Sequence, residues 1–270
     1  MVETVVKANG SREPYSRQKL LLSIVRCGLP EQDALRLAEE LEESLPAVVT
    51  SDEIHSRLLA RLRERYPQCA VRYAVRRAIM RMGPEGYPFE KFVARLLEKM
   101  GYAARTNVKA RGRCIEHELD VVAEGSGERV FVECKYHNLP GIKVDAKVAL
   151  YVYARYLDLK DQFDRAWIVT NTKVTAEAAA YAECVGMRVI AWHYPEEGLE
   201  VLIERYGLYP ITVLSTLSEE QKRVLLRSGI VTLNDLAKLS ASELAVAAGA
   251  SMEQAEAALA EVKMMELLQR

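Results

Sequence analysis

The fold of this chain is decided by two stretches, Glu118-Leu119-Asp120-Val121-Val122 and Val130-Phe131-Val132-Glu133-Cys134-Lys135. Both are rich in β-branched residues, which favour strands. Between them, Glu124-Gly125-Ser126-Gly127 is a turn signal. The pattern therefore predicts two neighbouring strands, over 118–123 and 129–133, joined by a short hairpin connection.

The charged residues of these strands are predicted to meet on one face of the sheet. Because side chains alternate along a strand, Glu133 and Lys135 share a face, while Cys134 points to the other. Neighbouring strands lie about 4.8 Å apart, so Asp120 can lie within metal-bridging reach of Glu133. The register between the two strands does not follow from the sequence.

This group of charges is typical of a metal site. Two carboxylates and an ammonium group are costly to bury unless they are paired or bind a metal. Oxygen ligands suit a hard cation, so Mg²⁺ or Mn²⁺ is the expected cofactor, with Asp120, Glu133 and Cys134 assigned as ligands. The Cys134 side chain itself is expected behind the sheet, as a small buried residue. A metal-bound water is easier to deprotonate, and Lys135 can neutralise charge that develops at a phosphate.

Two other interpretations of this region stay open. Cys114-x-x-His117 and Cys134-x-x-His137 have the spacing of zinc ligands. Three-residue spacing on a strand, however, points the second pair of side chains to opposite faces. An Asp followed by Glu-x-Lys also occurs by chance on solvated hairpins.

The same stretches resemble the core of the PD-(D/E)xK nucleases, most closely the Mrr-like restriction endonucleases and the archaeal Holliday-junction resolvases. The resemblance spans about 85–205. Residues 87–102 are similar to the first helix of that family, and 166–186 to the strand and helix after its core. The resemblance implies a metal-dependent DNA endonuclease with four catalytic residues, Asp120, Glu133, Lys135 and, from the first helix, Glu90.

The predicted elements around this core indicate an α/β sheet covered by helices. Apolar residues at helical spacing predict a helix over 89–100, which Gly101 ends. After the two strands of the core, helices and strands alternate over 144–157 (helix), 166–170 (strand), 175–185 (helix) and 187–192 (strand).

The first part of the chain resembles the ATP-cone domain, the regulatory nucleotide module of ribonucleotide reductases. Residues 5–20 and Thr50-Ser51-Asp52-Glu53-Ile54-His55 match its two signatures, and the resemblance spans about 3–82. Carried over by position, five residues are expected to contact a nucleotide such as ATP or dATP: Lys7, Arg12, Glu13, Lys19 and His55. Cationic side chains beside a strand pair and a helix can hold phosphates.

This first part is predicted to be mainly helical with a small β-hairpin. Asn9-Gly10 is the hairpin turn signal, and Ser16 is a suitable N-cap for a helix that runs to Cys27. Three further helices are predicted over 32–44, 51–65 and 68–82.

The last part of the chain predicts an all-α domain that resembles helix-hairpin-helix domains. The resemblance lies in two glycine turns, Leu226-Arg227-Ser228-Gly229-Ile230 and Ala248-Gly249-Ala250-Ser251. In that family such turns offer backbone N–H groups to DNA phosphates. Few Lys or Arg flank these turns, so docking of a protein is an alternative to DNA. The helices are predicted over 225–229, 233–238, 242–248 and 252–268.

Composition and two helix-breaking segments indicate that the chain is one multidomain α/β protein. A chain of 270 residues with 50% hydrophobic and 28% charged residues is typical of globular domains. Helix-breaking segments at 83–88 and 209–212 divide it into an expected ATP-cone domain (1–82), an Mrr-like nuclease domain (86–207) and a helix-hairpin-helix-like domain (212–270).

Net charge and cysteine content indicate the cellular compartment of the protein but not its function. The net charge is −1, and only residues 1–82 are basic, with 14 Lys and Arg against 11 Asp and Glu. The five cysteines are scattered without a CxxC pair, which argues against a disulfide framework. No apolar run approaches the roughly 20 residues that span a bilayer, so a cytoplasmic protein that binds no membrane is expected.

The combined hypothesis is a Mg²⁺-dependent DNA endonuclease, expected as a homodimer, whose activity responds to ATP or dATP. No Walker A motif is present, so nucleotide is expected to be sensed without hydrolysis. One alternative is a non-catalytic, nucleotide-responsive DNA-binding regulator, and a second is a Holliday-junction resolvase. The sequence does not decide the DNA substrate, whether ATP or dATP is bound, or whether the C-terminal domain binds DNA or protein.

Overall fold

The computed structural model describes residues 2–7, 10–139 and 141–267. The chain divides into two compact units, the first comprising Met1–Arg76 with Met264–Arg270 and the second Arg77–Lys263. None of the described helices is both long enough and apolar enough to cross a membrane.

The first unit contains a small three-stranded sheet. Its strands are β1 (Thr4–Val6), β2 (Arg12–Pro14) and β3 (Val48–Thr50), in the order β2-β1-β3. Strands β1 and β2 are antiparallel, which confirms the predicted pair, whereas β3 runs parallel to β1 and was not predicted. Of the predicted turn, Asn9 lies outside the described residues, and Gly10 has a positive φ of 81°.

Four predicted helices follow in the same part of the chain, the last of which ends just beyond the limit of this unit at Arg76. They are α1 (Arg17–Val25), α2 (Glu31–Glu43), α3 (Ser51–Arg65) and α4 (Pro67–Met80). The side chain of Ser16 accepts from the Lys19 N–H and so begins α1 as expected. Helix α3 is capped by Thr50. Apolar faces of these helices form a core that includes Ile24, Leu41 and Leu62.

The second unit is built on a five-stranded mixed sheet. Its strands are β4 (Ala103–Arg111), β5 (Glu116–Gly125), β6 (Glu128–Lys135), β8 (Arg165–Thr170) and β10 (Arg188–Ile190), in the order β10-β8-β6-β5-β4. Strands β6, β8 and β10 are parallel, and β4, β5 and β6 are successively antiparallel. A separate parallel pair joins β7 (Lys143–Val144) to β9 (Lys173–Val174).

Helices cover this sheet as the alternating pattern predicts. They are α5 (Tyr87–Lys99), α6 (Ala146–Leu159), α7 (Ala176–Cys184) and α8 (Leu199–Arg205). Buried residues of α6 and α7 pack with those of the sheet, among them Val152, Ala178 and Phe131. The sequence did not predict β4 or α8. Strand β4 is the edge strand, and its exposed and half-buried residues alternate along its whole length, so it lacks the apolar run by which the other strands were recognised.

The end of the second unit is helical, as expected. After a 3₁₀ turn (Ile211–Val213) come α9 (Glu219–Arg227), α10 (Leu233–Leu236), α11 (Ala241–Ala248) and α12 (Met252–Leu267), of which only the part up to Lys263 belongs to this unit. Helix α9 begins six residues before the predicted start, because Ser218 and Gln221 form a capping box there. Gly229 and Gly249 adopt positive φ at helix ends, where the sequence expects breaks.

Candidate active site

The sheet opens at the position of Asp120 and Glu133. The β5–β6 ladder runs from Gly125–Glu128 to Val121–Val132 and ends there, one residue short of the two carboxylates. Beyond that point the backbone N–H of Cys134 donates to Asp120 Oδ2 at 2.7 Å. The Asp120 carboxylate thus accepts the hydrogen bond that a backbone carbonyl would accept if the β5–β6 ladder continued.

Strands on both sides of β5 and β6 hold this opening in place. On one side, β6 stays paired with β8 through Glu133–Ile168 and Lys135–Thr170. On the other side, the β4–β5 ladder skips the position of Asp120. The residue at that position of β4 is Asn107, which has a positive φ of 54°, a conformation that Asn tolerates better than most residues. The sequence predicted the two strands but not this irregularity.

The carboxylate of Glu133 is buried and held by two cations. Its side chain is 7% exposed, and its Oε1 accepts from the Lys135 ammonium at 2.6 Å. This contact agrees with the predicted placement of the two residues on one face. Its Oε2 accepts from the guanidinium of Arg155.

Arg155 is the site residue that the sequence analysis missed. It lies in α6, is 7% exposed, and also donates to the backbone carbonyl of Glu118. Its position follows Val152 on the buried face of the helix. An arginine among apolar residues at that spacing is a signal, since buried arginine is almost always paired.

Asp120 and Glu90 share the electrostatic environment of Glu133. Burial and the negative charge of Glu133 raise the pKa of Asp120 to about 6. Burial and the charges of Asp120, Glu118 and Glu133 raise the pKa of Glu90, in the first turn of α5, to about 7. Glu90, Asp120 and Glu133 are therefore near enough for their negative charges to repel one another.

The mutual repulsion of these carboxylates is of the kind that a hard divalent cation offsets. Mg²⁺ is bound through one or two carboxylates while it keeps several waters, and the raised pKa values of Asp120 and Glu90 mark negative charge that a cation would offset. Among residues 2–7, 10–139 and 141–267, no three His, Cys, Asp or Glu side chains are placed to hold a metal ion by themselves. Any metal bound here would therefore need water or substrate oxygens to complete its coordination.

Cys134 contributes its backbone more than its thiol. The side chain is half-buried, and burial beside the carboxylates holds the pKa of the thiol well above its usual range. A protonated thiol is a poor ligand, and Mg²⁺ prefers oxygen. Within the part of the chain that the structure describes, the Cys134 and His137 pair is not part of any group of three or more His, Cys, Asp or Glu side chains placed to hold zinc.

The segment after Lys135 is clamped within the second unit. The Tyr136 hydroxyl accepts from the Gly83 N–H at 2.8 Å and donates to the Met80 carbonyl at 2.7 Å. A Cβ at Gly83 would lie 2.3 Å from the Tyr136 ring, so this position needs glycine. Asn171 donates to the His137 carbonyl at 2.7 Å. These contacts fix the end of β6, and no local pattern of residues predicted them.

In the first unit, three of the five predicted nucleotide contacts lie together. Glu13 Oε2 is 3.3 Å from the ammonium groups of both Lys7 and Lys19, and their hydrogen bonds lower the pKa of Glu13. Arg12 is exposed on β2, next to Glu13 in the sequence. His55, on α3, stacks on Tyr73 with 4.7 Å between ring centroids.

Known protein families match all three parts of the chain. A restriction endonuclease model matches residues 81–196, an ATP cone domain model matches 3–82, and an AF1548-like C-terminal model matches 209–266. An uncharacterized protein of Archaeoglobus fulgidus is 46% identical over 173 residues, which is 63% of this chain and 98% of that protein. The chain belongs to the AF1548-like family. The predicted ATP cone, the predicted Mrr-like nuclease domain and the presence of a separate C-terminal domain are thereby confirmed. The C-terminal match is to an AF1548-like model, so the helix-hairpin-helix character of that domain stays a prediction.

One solved structure agrees with this AF1548-like assignment. The crystal structure of AF1548, a protein of unknown function, is 44% identical and superimposes with a TM-score of 0.59, covering 68% of this chain and 98% of that one. A repair endonuclease from Pyrococcus abyssi is 19% identical with a TM-score of 0.30, covering 38% and 44% of the two chains. A score of that size supports no conclusion about this chain.

Proposed function

We propose that this AF1548-like chain is a Mg²⁺- or Mn²⁺-dependent endonuclease that hydrolyses phosphodiester bonds of DNA. The observation that carries the proposal is the opening between β5 and β6. It leaves Asp120 and Glu133 just beyond the last pair of the β5–β6 ladder, with the Lys135 ammonium 2.6 Å from Glu133. The match to a restriction endonuclease domain over residues 81–196 supports the reaction class.

Each residue of the site has a proposed role. Asp120 and Glu133 would hold the metal, Glu90 would approach it from α5, and Cys134 would contribute through its carbonyl oxygen, a hard donor. The bound metal would supply an activated water and stabilise the leaving oxygen. The Lys135 side chain is 33% exposed, so its ammonium can face a phosphate and offset the charge that develops during the reaction.

Nucleotide binding at the ATP cone would bias the activity or the association of the chain. The family match over residues 3–82 and the grouping of Lys7, Glu13 and Lys19 support this part of the proposal, with Arg12 and His55 as further contacts. The domain limits 1–82, 86–207 and 212–270 are proposed with it, and nucleotide would be sensed without turnover.

A cleavage assay on the full chain tests the proposal. Supercoiled plasmid, linear duplex and a four-way junction are each incubated with Mg²⁺, Mn²⁺ or EDTA, with and without ATP or dATP. We expect metal-dependent cleavage that is lost in Asp120→Ala and Lys135→Ala, and retained in Lys99→Ala, a matched change of an exposed lysine on α5. Cleavage at the wild-type rate in both site variants, with their folds intact, would refute the site.

One observation favours a second candidate, a DNA-binding regulator without nuclease activity. Both carboxylate oxygens of Glu133 already accept from cations, Lys135 and Arg155, so a metal must compete for them. The same assay separates the two functions, because DNA binding without cleavage across all metals and substrates would favour the regulator.

A further inference from the structure

Helix α6 exposes an apolar stripe on the side that faces away from the sheet. The stripe consists of Leu150, Tyr151, Ala154 and Leu157. Leu150, Tyr151 and Leu157 are 51%, 56% and 46% exposed, and Ala154 is exposed as well. Large apolar side chains that are exposed together on one helix mark an interaction surface more often than single ones do.

The exposed positions follow the spacing of a helix-pairing seam. Residues 147, 150, 154, 157 and 161 are all exposed and are separated alternately by three and four residues, as in the a and d positions of a heptad. The opposite face of α6 holds the buried residues that pack in the second unit, Ala149, Val152, Arg155 and Leu159. The two faces are distinct, so the stripe is available to a partner without repacking the core.

Opposite charges at the two ends of the stripe favour a second copy of the same stripe, in antiparallel orientation, as its partner. Lys147 lies at the beginning of the seam and Asp161 in the turn after α6 at its end. If a second α6 crosses antiparallel with Ala154 at the centre, each Lys147 meets the Asp161 of the other copy, and the apolar residues meet between them. A parallel crossing would instead place Lys147 against Lys147. The small side chain of Ala154 allows close approach at the crossing point.

We propose that the α6 stripe is the surface through which two copies of this chain associate, antiparallel about a two-fold axis near Ala154. A two-fold interface uses the same patch on both copies, and this patch is complementary to itself in both apolar character and charge. The inference assigns a surface to the homodimer expected from the sequence, and it does not depend on nuclease activity. Because few apolar side chains contribute, we expect a dissociation constant on the order of micromolar.

The charge pattern permits a specific test by sedimentation velocity of the full chain over a concentration series. We expect Lys147→Asp and Asp161→Lys each to weaken self-association by about tenfold through like-charge repulsion, and the double variant to recover it. An equimolar mixture of the two single variants should also associate. In that mixture, the acidic side chain introduced at position 147 of one copy meets the basic side chain introduced at position 161 of the other. Leu157→Glu should weaken association irrespective of salt.

Thermal unfolding of every variant establishes that the fold is retained, as expected for exposed positions. The Glu133 site is untouched by these changes, so the cleavage assay distinguishes failure of the nuclease proposal from failure of this one. A wild-type chain that stays monomeric at all concentrations overturns the inference. So does self-association that is unchanged in both single charge variants and in Leu157→Glu.

Discussion

The guanidinium of Arg155, on α6, donates to the carboxylate of Glu133, on β6. Both side chains are almost fully buried, so the pair joins a helix to the strand that carries the proposed metal ligand. Arg155 is best described as a positioning residue, because it acts on the site through Glu133. Its second contact, with the Glu118 carbonyl, ties the same helix to β5 near Asp120.

Replacing Arg155 with Met is expected to lower both stability and cleavage. The change leaves a buried carboxylate with one cation instead of two, and breaking a buried pair costs about 3 kcal/mol. We expect a lower midpoint in urea denaturation and at least a tenfold fall in kcat, with DNA affinity retained. Arg155→Lys should recover part of the loss, because lysine restores the positive charge but cannot donate to Glu133 and to the Glu118 carbonyl from one planar group as the guanidinium does.

Arg105→Met is the matched control for that experiment. Arg105 is exposed on β4, so its replacement is expected to change stability by less than about 0.5 kcal/mol. Equal losses in the two variants would show that the Arg155–Glu133 contact contributes nothing specific.

Asp120→Asn is expected to stabilise the protein at high pH. The pKa of Asp120 is raised to about 6 from an ordinary 3.8, so the folded chain binds this proton more tightly than the unfolded chain. Its ionisation therefore opposes folding, with no effect below pH 4 and the full effect above pH 6. Allowing for partial exposure, the variant should gain about 1 kcal/mol at pH 8, and Asn keeps an acceptor for the Cys134 N–H.

Thermal melts at pH 4 and pH 8 measure this difference. The gap in Tm between variant and wild type should be present at pH 8 and disappear near pH 4. Added Mg²⁺ at pH 8 should raise the Tm of the wild type more than that of Asp120→Asn, since a cation offsets the same repulsion. A wild type that is as stable as the variant at pH 8 without metal contradicts the raised pKa.

Part of the geometry of the candidate site could be predicted from the sequence, because its strands carry strong local signals. Alternation along β6 was enough to place Glu133 and Lys135 on one face, whereas Glu90, in the first turn of α5, was assigned from the family resemblance. The opening between β5 and β6 was not predictable, because it depends on a side-chain bond between Asp120 and the Cys134 N–H. Contacts between residues distant in the sequence, such as Arg155 with Glu133, arise only when helix and sheet pack.

In the fold as well, elements with local sequence signals were predicted, whereas elements that depend on residues distant in the sequence were missed. Helices with a capping residue and an apolar face, such as α1 and α3, were predicted to within about two residues. Strand β3 was missed, because its pairing partner β1 lies more than forty positions earlier. The start of α9 was also missed, although the Ser218 capping box is visible in the sequence as Ser-x-x-Gln.

Asp158 is expected to anchor the tip of the β4–β5 hairpin. It accepts from the backbone N–H groups of Cys114 and Ile115 at 2.7 and 3.2 Å and contacts His117 Nε2 at 2.8 Å. Asp158→Ala should therefore release the tip, with hydrogen exchange at Cys114 and Ile115 faster by about tenfold or more. These contacts, led by that of His117, hold the pKa of Asp158 well below its usual range.

The pH dependence of the hairpin tip follows from that lowered pKa. A carboxyl whose pKa is lower in the folded chain stabilises it above the ordinary pKa, near 4, and the effect is lost as pH falls below that value. Protection of Cys114 and Ile115 should consequently weaken in acid in the wild type and be weak at every pH in Asp158→Ala. Amides of β8 serve as the internal reference, and equal exchange in both proteins would show that Asp158 does not anchor the tip.

In the first unit, Lys19→Ala is expected to weaken nucleotide binding. Glu13 lies between Lys7 and Lys19, 3.3 Å from each, so the three side chains form a group with a net positive charge that suits a triphosphate. Removing one lysine leaves Glu13 balanced by the other, and no net charge remains for the phosphates. Calorimetry with ATP and dATP should show at least a tenfold loss of affinity, whereas Arg63→Ala, an exposed change on α3, should bind normally. If Lys19→Ala binds both nucleotides as the wild type does, phosphate recognition lies elsewhere in the unit.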